Sequence, residues 1–493
     1  MLRVGIETPK TLDPILAADP GALEVVAQLF TPLLVADPVT LEPHPGAAIS
    51  YTVAPDQTSF TFFLRDGAQF HNGRVVESRD VKYGLERVIK SSGPAAASLE
   101  VVDGAHEYAL GLGVTEVSGI QVVDPRTVRL QLTEPFAEFP AILTNPALSP
   151  MPQEEVESTA SPFSVFPVGN GPYRMASQWD QRNPIELVAA PGVALPATGP
   201  NRLRFEHFGD LSRGLLALRR NELDVVSIPP AVLPSVDQSK EDMRTTAFLG
   251  SYFFAFNLRD QNLAKPEFRR AILAAIDRPA LVKDVLKGAL TVRNGIVPAA
   301  FPGWPPDACG DPCARNVKNA QALLAAAFPE GQVPPVMIDV DSDPTQVAVA
   351  TAIKDQLRAV GIPADVRSRP FQEYRDFIAG ASGGEPGLFR SGWVTAAATA
   401  DQFLVPLFTT GRPDNLTGYA NADLDQLLSD TRKERDPAKR AENYKQAEQK
   451  ILADAIVVPI ASLQTYWVVA KDVTGLTVGP TGTFEARTVA LAR

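Results

Sequence analysis

Between Val336 and Trp393 the chain reads strand, helix, strand, helix, strand: Val336 to Val340, about Thr345 to Val360, Ala364-Asp-Val-Arg, Phe371 to Ala379, and Gly387-Leu-Phe-Arg-Ser-Gly-Trp393. Apolar strands that alternate with amphipathic helices predict a sheet with helices on its faces. A second such unit lies between Arg202 and Val226, where Leu-Arg-Phe-Glu-His-Phe leads into a helix ending near Asn221-Glu-Leu-Asp-Val-Val. Ligands in sheets of this kind bind at strand ends near topological switch points.

The strand that ends at Trp393 carries one arginine, Arg390, and opens into Val394-Thr-Ala-Ala-Ala-Thr-Ala-Asp401. Small side chains leave room, so Arg390 and Trp393 suggest a cavity with one fixed positive charge and one broad apolar wall. Taken alone, the same residues also read as a core strand in which Trp393 packs and Arg390 snorkels to water.

A chain of 493 residues predicts two or three domains. Its 45% hydrophobic and 21% charged residues are those of a globular protein. The net charge of −11, with no basic stripe, argues against nucleic acid. No run of about 18 apolar residues occurs, so no membrane span is expected. Met1-Leu-Arg-Val-Gly-Ile enters a strand without a charged n-region and an apolar h-region. That fits either a cytoplasmic protein or an exported one whose signal has been removed, and the 44 prolines lean toward an extracellular protein with many fixed loops.

Cys309 and Cys313 lie in Trp-Pro-Pro-Asp-Ala-Cys-Gly-Asp-Pro-Cys, a loop rich in turn formers, where they can close a small disulfide ring in an oxidising compartment. A metal site there needs further ligands, and His44, His71, His106 and His207 are all distant in sequence; free thiols are the remaining option. Gly169-Asn-Gly-Pro-Tyr173 is a sharp turn without the Lys-Ser/Thr ending or following helix of a nucleotide loop. No cofactor or metal is therefore assigned. His71 has no acidic or nucleophilic neighbour in its turn-rich ribbon and reads as structural. Asn257 closes the aromatic strand Tyr252-Phe-Phe-Ala-Phe-Asn, where a hydrogen-bonding role near a crevice or hinge is expected. Ile456 to Ala461 and Gln464 to Val469 read as strands long enough for a final crossing between lobes.

Several segments, in order, resemble the family 5 extracellular solute-binding proteins that serve ABC importers. They are Thr11-Leu-Asp-Pro14, Phe-Leu-Arg-Asp-Gly-Ala-Gln-Phe-His-Asn-Gly73, the Asp80-Val-Lys-Tyr-Gly helix, Gly171-Pro-Tyr173, Phe256-Asn257, Phe268-Arg-Arg-Ala-Ile to Ile276-Asp-Arg278, Ser391-Gly-Trp393 and Tyr419-Ala-Asn-Ala-Asp-Leu-Asp425. Together they cover nearly the whole chain. The resemblance implies an α/β, two-lobed periplasmic-binding-protein-like (Venus flytrap) fold with mixed sheets, a hinge and an extra subdomain on the first lobe. Residues 1–40, 168–255 and 459–493 would form lobe I, 41–167 the extra subdomain and 256–458 lobe II. Closing two lobes would bury the ligand from water and create a surface that a transporter can tell from the open one.

The resemblance further implies a non-enzymatic receptor, probed by a permease partner, monomeric, exported to the cell surface or periplasm and touching the membrane only through a lipid anchor or the transporter. Its cargo would be a peptide or peptide-like molecule with an anionic group, since Arg390 matches an arginine of some oligopeptide-binding relatives and a guanidinium favours a bidentate carboxylate or phosphate. Ser391, Gly392 and Trp393 would share the site, with Ala17, Ala18 and Asp19 and with Tyr252, Phe254 and Asn257 lining the crevice. In peptide-binding relatives an aspartate after the Gly-Trp strand pairs with the ligand's α-ammonium, and here Ala396 stands in its place. Either Asp401, Asp19 or Asp13 substitutes, or the ligand lacks a free α-amine, because an ammonium buried without a carboxylate costs several kcal/mol. Metal chelates, haem-like groups and specialised metabolites are alternative cargoes, and a pathway-specific binding or signalling role is a further alternative. A hydrolase is the rival from another class, although no His-Glu-x-x-His occurs.

Overall fold

The computed structural model describes residues 1–493 apart from 92, 94, 161, 381–383 and 493. It comprises two compact units, one of residues 1–246, 396–398 and 465–493, the other of residues 247–395 and 399–464. No described helix is long and apolar enough to cross a membrane.

The first unit opens with β1 (Leu2–Glu7), whose Leu2, Val4 and Ile6 are buried. Helix α1 (Pro20–Leu29) starts where the Asp19 carboxylate accepts from the Ala22 N–H at 2.8 Å and Pro20 occupies the first turn. An antiparallel sheet follows, built from β2 (Ala48–Val53), β3 (Ser59–Leu64), β4 (Ile120–Asp124) and β5 (Thr127–Gln131) in the spatial order β2-β3-β5-β4. Phe60 and Phe62 stand beside Leu130 and Val128 on one face, and all four share a core with Val81, Leu85 and Val88 of α2 (Ser78–Ile89). Val81, Leu85 and Val88, spaced four and three residues apart, form the buried stripe of this helix. Glu77 and Asp80 begin α2 with a reciprocal capping box.

The ribbon before α2 is tied to the Gly169–Gly171 turn. The His71 N–H donates to the Gly169 carbonyl, His71 Nδ1 faces the Gly169 N–H at 3.1 Å, and Nε2 faces the Gly171 carbonyl at 3.1 Å. Asn170 between the glycines exchanges two hydrogen bonds with the Thr31 backbone. Both glycines are required, because a Cβ on Gly169 would lie 2.0 Å from the Leu29 carbonyl oxygen and one on Gly171 2.4 Å from the Leu29 carbonyl carbon. Beyond the turn, β6 (Tyr173–Met175), β7 (Ile185–Ala189), β8 (Arg202–Phe208) and β9 (Val225–Ser227) complete a mixed sheet of order β9-β1-β8-β7-β6. Here β1 lies parallel to both β8 and β9, with α3 (Leu211–Arg219) as the crossover that the sequence predicts.

In the second unit the strand order is β12-β11-β13-β10-β14, for β10 (Asp242–Phe256), β11 (Val336–Asp341), β12 (Ala364–Arg369), β13 (Leu388–Val394) and β14 (Val457–Val469). β11 is parallel to β12 and to β13, while β10 is antiparallel to β13. Helix α4 (Pro266–Ala275) buries Phe268, Ile272 and Ala275 on one face. The parallel strands are joined through α5 (Pro344–Ala359) and α6 (Phe371–Ile378), and α7 (Asp401–Phe408), α8 (Ala422–Lys433) and α9 (Pro437–Ala453) follow. Asp343 caps α5 ahead of Pro344, and Asp436 caps α9 ahead of Pro437.

Two strands are longer than the sequence suggests. β10 begins at Asp242 rather than near Tyr252, because its first half is only partly buried and carries no strong apolar alternation. The two strands expected over Ile456–Ala461 and Gln464–Val469 are one, β14, since Ser462 and Leu463 between them form no turn. Both long strands run from one unit into the other.

Candidate functional site

Two glycines set β13 tightly between its neighbours. A Cβ on Gly387 would lie 2.3 Å from the Met337 carbonyl oxygen of β11, and one on Gly392 would lie 2.7 Å from the Ser251 carbonyl oxygen of β10. The Gly387 N–H also donates to Asp339 Oδ2 at 2.8 Å. The parallel strand β11 ends at Asp341 while β13 runs on to Val394, and the ends of such strands are where a sheet of this type presents groups to a ligand.

Alternation along β13 separates the two residues that the sequence places together. Arg390 and Trp393 are an odd number of positions apart, so they point to opposite faces. Arg390 is level with Phe254, two positions from Gly392 and Tyr252. Its guanidinium carbon stands 5.2 Å from the centre of the Tyr252 ring, and Tyr252 meets Phe254 edge-on at 6.1 Å. The Tyr252 hydroxyl donates at 2.6 Å to Gln346 Oε1 in the first turn of α5, and burial pushes that hydroxyl up to about 12 against the opposing charge of Arg390. From α6, the Tyr374 hydroxyl donates to the Arg390 carbonyl, and burial raises its pKa as well. Both tyrosines remain neutral hydrogen-bond donors at physiological pH. Among the described residues Arg390 forms no ion pair, and its Nε has no hydrogen-bond partner.

On the other face Trp393 lies opposite Ser251, and Ser391 opposite Phe253. The Trp393 Nε1 and Ser251 Oγ atoms are both buried with no partner among the described residues. Asp339 belongs to this face and is committed to Arg367 at 2.5 Å and Arg369 at 3.5 Å, whose guanidinium groups stack on Phe377 of α6.

The remaining expected site residues divide. Asp401 is fully buried, with Arg432 donating to its two oxygens at 2.7 and 2.9 Å and the Tyr444 hydroxyl donating at 3.1 Å. Asn257 is 1% exposed, donates to the Pro386 carbonyl and accepts from the Arg259 N–H, and so braces a turn. Ala17, Ala18 and Asp19 belong to the first unit, where Ala17 is buried, Ala18 exposed and Asp19 the cap of α1. Asp13, in the same unit, is bound by both Arg87 amino groups at 2.5 and 2.9 Å. Ala396 also falls in the first unit, and its neighbour Ala397 packs in the core with Phe60 and Phe62. Arg390, Ser391, Gly392, Trp393, Tyr252 and Phe254 are therefore brought together on adjoining strands of one unit. Sequence reading missed Gln346 and Tyr374; the available signal was the end of a predicted parallel strand followed by a helix cap at Asp343-Pro344.

The Cys309–Cys313 disulfide is formed. Its ring turns the Cys313 carbonyl onto Arg278, a fully buried arginine that also donates to the Pro459 carbonyl.

The model of the bacterial extracellular solute-binding proteins, family 5 Middle, matches residues 42–415 of this chain. The chain belongs to this family. Family 5 proteins are extracellular solute-binding proteins by that description, and the mixed α/β units described above carry their fold. Over 486 residues, 95% of this chain and 90% of the relative, the sequence is 26% identical to the glutathione-binding protein GsiB of Escherichia coli K12. Two solved structures share the fold. The periplasmic murein tripeptide binding protein MppA, in an unliganded open form, superimposes with a TM-score of 0.85 at 22% identity, covering 99% of this chain and 97% of that one. The clavulanic acid biosynthesis oligopeptide binding protein 2 gives 0.86 at 21% identity, covering 100% and 95%.

Proposed function

We propose that this solute-binding protein is the ligand receptor of an ABC importer and that it takes a peptide or peptide-like solute bearing an anionic group. Arg390 carries this reading. It is a partly buried guanidinium near the end of the parallel strands, set against Tyr252 and, among the described residues, without an ion pair. A guanidinium so placed favours a bidentate carboxylate, and a peptide carries one at its carboxyl terminus. The neighbouring Tyr252 hydroxyl and the Gln346 amide it orients offer uncharged hydrogen bonds beside that charge. Relatives named for glutathione, a murein tripeptide and oligopeptides support cargo of this chemistry. The protein would act by binding alone, as a monomer engaging a permease. The family description and the Cys309–Cys313 disulfide support work in an oxidising compartment outside the cytoplasm, at the cell surface or in the periplasm.

Thermal-shift screening of the purified protein against di- to nonapeptides, with calorimetry on the best binder, tests the reading. A ligand at a hundred times its Kd adds about 2.7 kcal/mol of stability. Arg390→Ala is expected to weaken the peptide acid about 30-fold while leaving its carboxyl-amidated form unchanged. Equal affinity of wild type and Arg390→Ala for the peptide acid would overturn the assignment of Arg390, and absence of any peptide binding would overturn the cargo.

A further inference from the structure

The second unit buries one arginine without giving it a carboxylate. Arg278 is 1% exposed and, among the described residues, forms no ion pair. Backbone carbonyls alone hold its guanidinium. Nε donates to Pro459 of β14 at 2.6 Å, and Nη1 donates to Cys313 and, at 3.3 and 3.4 Å, to Ile276 and Leu273. Nη2 is buried with no partner among the described residues. Burial lowers the pKa to about 10, against the charges of Asp307 and Asp277, so the group stays charged at neutral pH. A buried cation with one amino group already idle depends on each acceptor it has left. Its near acceptors are Pro459 and Cys313. Pro459 has no N–H, so its carbonyl is its one backbone hydrogen-bonding group.

The Cys309–Cys313 ring joins two anchors of β14. At one end the Cys313 carbonyl meets Arg278, which holds Pro459. At the other the Cys309 N–H donates to the Asn294 carbonyl at 2.8 Å, and the preceding Arg293 N–H donates to the Ile460 carbonyl at 3.2 Å. Just before these, Thr291 and Val292 pair with Ser462 and Ala461. The chain between the two anchors is held separately, because Glu448 of α9 accepts from the Ile296 and Val297 N–H groups and from the Trp304 indole. Opening the ring therefore releases the turn around Cys313 and its carbonyl, and spares the segment on Glu448. β14 in turn lies beside β10, the strand of Tyr252 and Ser251. The Phe256 N–H donates to the Ile456 carbonyl at 3.2 Å, and a Cβ on Gly250 would lie 2.6 Å from Leu463 Cδ1. The ring sits in a surface turn, with Pro306, Asp307, Asp311 and Pro312 all exposed.

We propose that Cys309 and Cys313 form a thiol–disulfide exchange site for a dithiol protein, and that closing the ring fixes β14 through Arg278 and so stiffens β10 at the binding site. In the closing step the two thiols attack the partner's disulfide through a mixed disulfide. The partner's S–S bond breaks, the Cys309–Cys313 bond forms, and two electrons and two protons leave with the partner as its dithiol. Excess dithiol runs the step backwards. The experiment is hydrogen exchange by mass spectrometry on the full chain, oxidised and after dithiothreitol, with the thiols counted after denaturation. Residues 456–464 should exchange about tenfold faster in the reduced protein, as expected for one charged hydrogen bond lost, while residues 296–304 stay unchanged. Arg278→Lys, which keeps the charge and loses the fork, should exchange fast at 456–464 whether the ring is open or closed. The peptide panel used above should bind the reduced wild type about tenfold more weakly. If dithiothreitol leaves the ring closed in the folded protein, or if 456–464 exchanges alike in both forms, the proposal falls. It falls equally if reduction speeds that segment by the same factor in Arg278→Lys as in wild type, or if peptides bind both forms alike. If no peptide binds either form, the cargo reading fails and the exchange data alone decide. Should the reduced protein lose its melting transition, Arg278→Lys with the ring closed decides, since slow exchange of 456–464 there would remove the link to β14.

Discussion

Acidification should loosen the first unit through His71, and the magnitude follows from its hydrogen bonds. Its Nδ1 faces an N–H and its Nε2 a carbonyl, so both are satisfied only when the ring is neutral with the proton on Nε2. A second proton on Nδ1 would meet the Gly169 N–H head on, and the turn cannot retreat, because Gly169 and Gly171 already touch the Leu29 backbone. Burial, the larger cause, and the charge of Arg174 lower the pKa of His71 from 6.5 to about 4, against the Gly171 hydrogen bond that raises it. The folded pKa is thus depressed, and the unfolded chain takes up the proton first. Stability from this group is complete above about pH 6.5 and is lost as pH falls toward 4. At pH 5 the loss amounts to about 2 kcal/mol relative to neutral pH. Urea denaturation of wild type and His71→Gln in parallel from pH 7.5 to 4.5 isolates the contribution, since the carboxylates common to both cancel. The wild type should lose that much more stability than the variant across the window. Parallel pH profiles for the two proteins would refute the reasoning.

Replacing Asp401 by Asn leaves Arg432 beside a neutral amide in a fully buried place, and should lower stability by about 3 kcal/mol, read from the shift in urea midpoint. Gly392→Ala puts a methyl group against the Ser251 carbonyl and should cost about 1–3 kcal/mol and weaken ligand binding, because β13 must move from β10; an unchanged melting temperature would contradict the close approach. Thiol titration of the denatured protein should find no reactive thiol before reduction and both Cys309 and Cys313 after it. Cys309→Ser with Cys313→Ser should lower stability by about 2 kcal/mol, the loop-closure value for so short a ring.

The parallel units were legible because their strands and helices carry the two apolar periods. The long strands were not, because a strand that leaves one core for another changes burial along its length, and no single pattern spans β10 or β14. The strand carrying Arg390 and Trp393 is present as expected, but the two residues do not share one side of it. Arg390 and Trp393 are close in number and opposite in direction, a consequence of strand alternation that could have been applied at once. The fate of Asp13 and Asp401 was beyond reach, since their partners Arg87 and Arg432 are fixed only by tertiary structure.

That opposition of faces bears on how one short strand serves a binding site. β10 pairs with β13 along its whole length, from Phe256–Leu388 to Gly250–Val394, whereas β11 pairs with it only at Leu388 and Phe389. The groups that can act together are therefore those at the ends of neighbouring strands, not those adjacent in sequence: Tyr252 and Gln346 with Arg390 on one side, Ser251 with Trp393 on the other. Gly387 and Gly392 hold the three strands in the register that makes this so. A larger side chain at either glycine would act on both faces at once, and so on every polar contact the strand end can make.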